Sequence, residues 1–296
     1  MTNPFPPHHR RGVALMLTST ACFTATVLLV RAVGEMGTSN LWLVSCARFV
    51  TGLALVHLAY RREFAPAHLW RNPKLVERGL IGGIGVYLTY LCVVKLGAGR
   101  ATFIGNTYVI WGAFLAAWVL KERLNPGTLA GGLAALAGLG LLTNVFTLSA
   151  LPGVYDFLAV VTALLSAWVV VTIRQLHATE HTSTIFAAQC AYGLAICAVP
   201  AVLSWQPVAP LAWGLIVLAS LAAGIGQLTM TRAFRDLPVA EGSLLQMLVP
   251  LGIGLGGVLF FDERFAGHEL VGAALILGGT AYTALRKPDP ATAEAE

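Results

Sequence analysis

Apolar residues run in long blocks along this chain, and the short stretches between them collect the charges, prolines and asparagines. The blocks lie at about 12–33, 40–60, 79–96, 101–120, 127–146, 154–174, 183–203, 210–232, 239–260 and 267–285. Each is apolar on every face and close to the roughly 20 residues that carry a helix across a bilayer core. Strands of a membrane barrel would alternate apolar and polar residues over about ten positions, and these blocks do not. The pattern therefore predicts an all-α membrane protein with ten transmembrane helices. The first block is too long for the apolar core of a cleaved leader and reads as the first span.

The pattern also repeats. VLKERLNPGTLAGGLAALAGLGLL at 119–142 returns as LFFDERFAGHELVGAALILGGTAY at 259–282. An offset of 141 residues places Glu122 on Glu263, Arg123 on Arg264, Gly131 on Gly272 and Gly138 on Gly279. Further upstream it places IGGIG at 81–85 on AAGIG at 222–226. Such self-similarity marks an internal duplication. Each copy, 1–148 and 149–296, holds five spans, an odd number, so the second must enter the membrane from the opposite side. The expected architecture is two five-helix inverted-topology repeats, which supply one conformation open to each side and are common in secondary transporters. Glu122 and Glu263 fall at junctions between helices. Asn125 and Pro126 open the following helix in the first copy, so both carboxylates are expected to cap the helix that comes next.

Composition sharpens this reading. With 57% hydrophobic and 11% charged residues and a mean hydropathy of +0.75, the chain belongs in a lipid bilayer. With the N- and C-termini in the cytoplasm, fourteen Lys and Arg, Arg78 and Arg174 among them, fall on the inner side. Arg31, Lys95, Arg100 and Arg264 fall outside, and Arg48 lies within helix 2. That asymmetry fits a multi-pass protein of the bacterial inner membrane. The net charge of +5 is thereby explained by loops facing an anionic leaflet, with no nucleic acid as partner. Cys22, Cys46, Cys92, Cys190 and Cys197 all lie in spans and read as small apolar residues. His177 and His181 have helical spacing but no third ligand, so neither a metal nor another cofactor is expected.

Two five-helix halves, each ending in an apolar residue, x, Glu and Arg before a small-residue helix, resemble the EamA repeat of the drug/metabolite transporter superfamily. Pro250 precedes Glu263 by thirteen residues, as in that pattern, and Arg48 stands where many members carry an arginine. Val109 occupies the place equivalent to Pro250, a departure that removes the proline-based reason for a break in helix 4. The chain is most similar to bacterial exporters of aromatic and other neutral amino acids. The resemblance implies a basket with helices 1 to 4 and 6 to 9 around a central cavity and helices 5 and 10 outside. The glycines of helices 5 and 10 offer surfaces for close packing within a monomer or between the two chains of a homodimer.

A transport site is expected near the bilayer midplane where the repeats meet. Tyr87 and Tyr90 share a face of helix 3, and Tyr108 and Trp111 share a face of helix 4. Trp168 lies in helix 6, while Asn106, Gln227 and Gln246 place amides in helices 4, 8 and 9. Amides facing lipid would lose their hydrogen bonds, so these three are expected to face inward. Aromatic walls with a few amides suit an amino acid with an apolar body and a polar head. Arg48 is the cation well inside a span, suited to a carboxylate or to backbone carbonyls. All fourteen acidic residues are expected in connectors, tails or span ends, which argues for uncoupled transport. Other readings are export of a sugar, nucleoside or lipophilic compound, and a membrane-embedded enzyme. Against the enzyme stands the lack of any nucleophile and base at recognisable spacing.

Overall fold

The computed structural model describes residues 7–37, 40–96, 98–123, 125–143, 145, 153–262, 264 and 266–285. Among the described residues the chain is helical and contains no strand. In order come α1 (Pro7–Glu35), α2 (Leu41–Ala59), α3 (His68–Arg71), α4 (Pro73–Leu96), α5 (Ala98–Asn106), α6 (Tyr108–Val119) and α7 (Pro126–Leu142). They are followed by α8 (Val154–Leu176), α9 (Thr182–Leu203), α10 (Pro210–Asp236), α11 (Val239–Gln246), α12 (Leu248–Phe260) and α13 (Gly267–Leu285). Among the described residues, eight helical segments are long and apolar enough to cross a membrane, with α5–α6 and α11–α12 each counted as one, and α7 is a shorter apolar helix.

Local chemistry sets the helix ends. The side chain of Asn40 accepts from Leu43 N at 3.1 Å and opens α2; Asn125 accepts from Gly127 N at 2.9 Å beside Pro126 and opens α7. The side chain of His181 accepts from Ser183 N and opens α9. A shift of 141 residues carries Leu41, Ala98 and Pro126, which start α2, α5 and α7, onto Thr182, Val239 and Gly267, which start α9, α11 and α13. It also carries Lys121 onto Asp262, the described non-glycine residues with positive φ, at 59° and 54°.

Packing repeats the correspondence. α1 lies along α10 and, equivalently, α8 lies along α4; α2 packs on α9 and α7 on α13. Because lipid is as apolar as a leucine side chain, close backbone approach and interhelical hydrogen bonds hold membrane helices together more than apolar burial does. α7 and α13 show the first. A Cβ on Gly138 would stand 2.5 Å from the Gly272 carbonyl oxygen, and one on Gly279 would stand 2.5 Å from that of Gly131. The two helices run antiparallel with their glycines paired crosswise, so these residues close a contact within the chain. Hydrogen bonding between helices is shown by Asn40 Nδ2, which donates to Ser204 O at 2.7 Å, and Tyr192 Oη, which donates to Leu69 O at 2.9 Å. The largest buried cluster gathers Phe49 of α2, Ile185 and Phe186 of α9 and Phe234 of α10. We call the end of the bundle where α1 begins the near face.

Both α5–α6 and α11–α12 are interrupted once, at Thr107 and at Met247. At each, the backbone N–H turns to the carbonyl three residues back: Thr107 N to Ile104 O at 3.1 Å and Met247 N to Leu244 O at 3.0 Å. Pro250 accounts for the second interruption, since it has no N–H for the Gln246 carbonyl. The first arises without a proline, although Val109 had removed that reason to expect it.

Candidate functional site

Helices of both halves converge on Arg48. Its Nη1 donates to the Tyr90 hydroxyl of α4 and its Nη2 to Gln227 Oε1 of α10, each at 3.3 Å, and its guanidinium lies 5.8 Å from the centre of the Phe23 ring of α1. Tyr87, one turn deeper on α4, stacks on Trp42 with ring centroids 3.5 Å apart and planes 11° from parallel. Two expected site residues, Tyr90 and Gln227, thus hold one cation, and a third, Tyr87, stands one turn away on the same helix as Tyr90.

A second group lines a cavity of about 220 Å³ between α4, α5 and α8. Asn106, Tyr108 and Ser166 border it together with Thr89, Thr102 and Thr162. This is room for a small metabolite, below the range of drug-sized pockets. Most of these polar groups are already engaged: Asn106 Nδ2 donates to Thr102 O at 2.8 Å, and the Thr89 and Thr162 hydroxyls donate to carbonyls one turn back. The Tyr108 hydroxyl donates to Ser243 O across the two halves at 3.5 Å.

The remaining three expected residues stand apart. Gln246 is buried against α1, donating to Ser19 Oγ at 3.0 Å and contacting Met16 Sδ, and so ties helices together. Trp111 is 42% exposed on α6 and joins neither group. Trp168 donates its indole N–H to the carboxylate of Glu77. Glu77 had been placed in a connector, because hydropathy begins that span at 79; the helix begins at Pro73, so Glu77 sits in the second turn of α4. Glu77 thus lies at the near end of the span, within reach of Trp168.

Arg78 needs the same correction. Counted among the loop cations, it is 1% exposed inside α4, with Nη2 donating to Gln189 Oε1 of α9 at 2.9 Å. Its Nη1 lies over Gly82, where any side chain would collide with it. Gln189 completes the arrangement by donating from Nε2 to Gly82 O at 3.2 Å. The sequence signal was LVERGLIGG, a charged pair leading directly into glycines, whose lack of side chains leaves room beside a helix for a long cation.

The near face is fastened across the halves. Glu122, expected to cap α7, instead accepts from Val239 N at 3.1 Å and so caps α11. Asn125 already supplies the α7 cap. Arg174 of α8 pairs with Glu122 at 2.6 Å and donates from Nη1 to Leu237 O at 2.8 Å and Phe234 O at 3.2 Å. Burial pushes the Glu122 carboxyl above its ordinary value; Arg174 and the Val239 N–H offset part of that rise. Beside it, His177 Nε2 bonds Thr231 O at 2.6 Å, and burial lowers the imidazole to about 4. That histidine and His181 are thereby employed at helix ends. Pro250 is buried in the first turn of α12, and Glu263 lies outside the described residues.

Comparison with known proteins gives this architecture its context. A protein of known crystal structure superposes with a TM-score of 0.78 over 92% of this chain and 95% of the other, at 19% identity, which speaks to the fold. The pseudopaline exporter CntI of Pseudomonas aeruginosa, in strains UCBPP-PA14 and PAO1, is 24% identical over 238 residues, covering 78% of this chain and 81% of the relative. Residues 10–144 and 153–285 each match the EamA-like transporter family. The chain is a multi-pass membrane protein that belongs to the EamA-like transporter family, with one EamA domain in each half.

Proposed function

We propose that the protein exports small amphipathic amino acids, aromatic and other neutral ones among them, by alternating access between two inverted five-helix halves. The observation that carries this reading is the contact of Arg48 in the first half with Gln227 in the second, walled by Tyr90 and Phe23. A cation with aromatic and amide neighbours at the junction of the halves is suited to a carboxylate head and an apolar body. The crosswise glycine pairing of α7 and α13 supports an inverted arrangement, because equivalent helices meet antiparallel. Ten spans, with the near face in the cytoplasm of a bacterial cell, follow from the hydropathy blocks and from the excess of Lys and Arg on that side.

Glu77 contacts Trp168 from the second turn of α4, which adds no mid-span carboxylate, and transport without ion coupling remains the reading. A second cargo has one specific support: the likeness to CntI favours pseudopaline or a chemically related compound. Counterflow into proteoliposomes loaded with tryptophan, phenylalanine, sugars, nucleosides, lipophilic drugs or pseudopaline tests both readings. Tryptophan and phenylalanine are expected to exchange and to compete with each other. If neither moves while pseudopaline does, the amino-acid reading fails and the second replaces it.

A further inference from the structure

Two guanidinium groups lie inside the bundle, and no carboxylate among the described residues neutralises either. Arg48 spends its hydrogen bonds on a phenol and an amide, both neutral. Arg78 has one neutral acceptor, Gln189, while its Nε and Nη1 are buried without an acceptor among the described residues. Both helices that carry them lie against the same stretch of α9: Arg78 bonds Gln189, and Gly52, one turn after Arg48 on α2, packs on Cys190. The nearby carboxylates are engaged elsewhere: Glu122 with Arg174, Asp156 with Arg100, Glu241 with His9 and Glu77 with Trp168. A guanidinium cannot shed its proton to escape this environment. Uncompensated cations in a span are costly, and where they occur they mark the path of an ion or substrate.

We propose that Arg48 and Arg78 form an anion site whose ligand is the carboxylate of the exported compound. Arg48, partly exposed and shared between the halves, is the group that touches it. It offers the planar fork that matches a carboxylate. Arg78, buried between α4 and α9, is a positioning residue whose charge deepens the local potential. Each half contributes to the site, since releasing Gln227 from Arg48 frees a donor for the ligand and loosens a contact between the halves at one stroke. The proposal rests on the export reading and narrows it to compounds that carry a free carboxylate.

The test uses the purified full chain in nanodiscs and four probes: phenylalanine, N-acetylphenylalanine, phenylalaninamide and phenethylamine. Apparent affinity is read from the concentration dependence of the melting temperature. The two acids are expected to bind on the order of tenfold to a hundredfold more tightly than the amide and the amine, the range of one charge-assisted hydrogen-bonded contact. In Arg48→Gln that ratio falls to about one, and in Arg48→Lys part of it survives, because a point charge replaces the fork. Arg78→Met, which removes a buried charge without opening a hole, lowers the ratio while leaving a folded protein. Equal affinity for acid and amide overturns the proposal. So does an acid preference that persists in Arg48→Gln or, where that variant does not fold, one undiminished in both Arg48→Lys and Arg78→Met. No shift with any probe overturns it as well. Counterflow of phenylalanine and its amide at equal rates leaves export standing and removes the anion site. Arg48-dependent binding of N-acetylphenylalanine without movement of any amino acid does the reverse.

Discussion

α5–α6 in the first half and α11–α12 in the second occupy equivalent places and are interrupted within one residue of the same register, yet the residues at the two interruptions differ. In the second half the cause is covalent: Pro250 offers no N–H to the Gln246 carbonyl and its ring crowds that oxygen. In the first half Val109 stands there, and two side chains bond carbonyls beside the turn. Thr107 Oγ1 donates to Ile104 O at 2.6 Å and Asn106 Nδ2 to Thr102 O at 2.8 Å, satisfying carbonyls that the helix would otherwise bind. The shape of the interruption is thus selected by its place in the fold, while the means of making it is free to drift. One half is locked by a ring; beside the turn in the other stand two hydrogen bonds that single substitutions remove.

The largest test of that comparison lies at the corners. Glu122 of the first half caps α11 of the second, so Arg174→Ala should strip a buried carboxylate of its partner and cost about 3 kcal/mol in thermal or chemical unfolding. Hydrogen exchange should then open residues 239–246 while leaving α5 protected; equal opening of both would end the claim that this corner serves the opposite half. Burial raises the Glu122 carboxyl in the folded state, so its ionisation opposes folding above the ordinary value of 4.5. The wild type should therefore gain stability over Glu122→Gln as the pH falls toward 4.5 and lose that gain as it rises.

Next in size is the glycine pair. Gly138→Ala and its counterpart Gly279→Ala each push a methyl group into a carbonyl 2.5 Å away, and each should cost about 2 kcal/mol. A loss in one alone, read from melting of the purified variants, would break the equivalence of the halves. Smaller is the effect of straightening the interrupted spans. Asn106→Leu with Thr107→Val frees two carbonyls for helical bonding and should shift stability by about 1 kcal/mol while slowing counterflow. Pro250→Ala should slow counterflow less, because Met247 keeps its bond to Leu244. Slowing of equal size in both variants would show that the two devices do not differ in how readily they are undone.

The smallest effect concerns the left-handed residues. Lys121 and Asp262 both hold positive φ, a conformation that costs a branched or long side chain more than a short polar one. Lys121→Gly should stabilise by about 1 kcal/mol and Asp262→Gly by less, measured by melting temperature. A larger gain at Asp262 would contradict that ranking.

These cases show what a sequence displays and what it hides. Eight of the span positions and the 141-residue correspondence were legible because hydropathy and self-similarity are local or periodic properties. The interruption at Thr107 was not, since Asn and Thr occur in helices without bending them, as Thr20 and Thr162 do here while bonding the carbonyl one turn back. Glu122 was read as a cap, but its recipient lies 117 residues away, beyond any local signal. Glu77 and Arg78 were misplaced for a physical reason: charges depress hydropathy, so the boundary was drawn inside them, while the helix extends back to Pro73. For the site, the residue types around Arg48 could be named, whereas their division between that cation and the cavity beside Asn106 depended on helix rotation. The uniformly apolar faces of these helices give no clue to rotation, which is also why the place of Trp111, apart from both groups, could not be read.

The bond between Arg78 and Gln189 also orders events in time. Its partners are separated by 111 residues, so at about 5–20 residues per second α4 is synthesised roughly ten seconds before its acceptor on α9 exists. During that interval the ribosome has delivered a cation to the membrane with nothing in the nascent chain to receive it. The first half therefore inserts provisionally, and its third span is secured only when the second half is being made. A defect at Gln189 would show as failed biogenesis before it showed as failed transport.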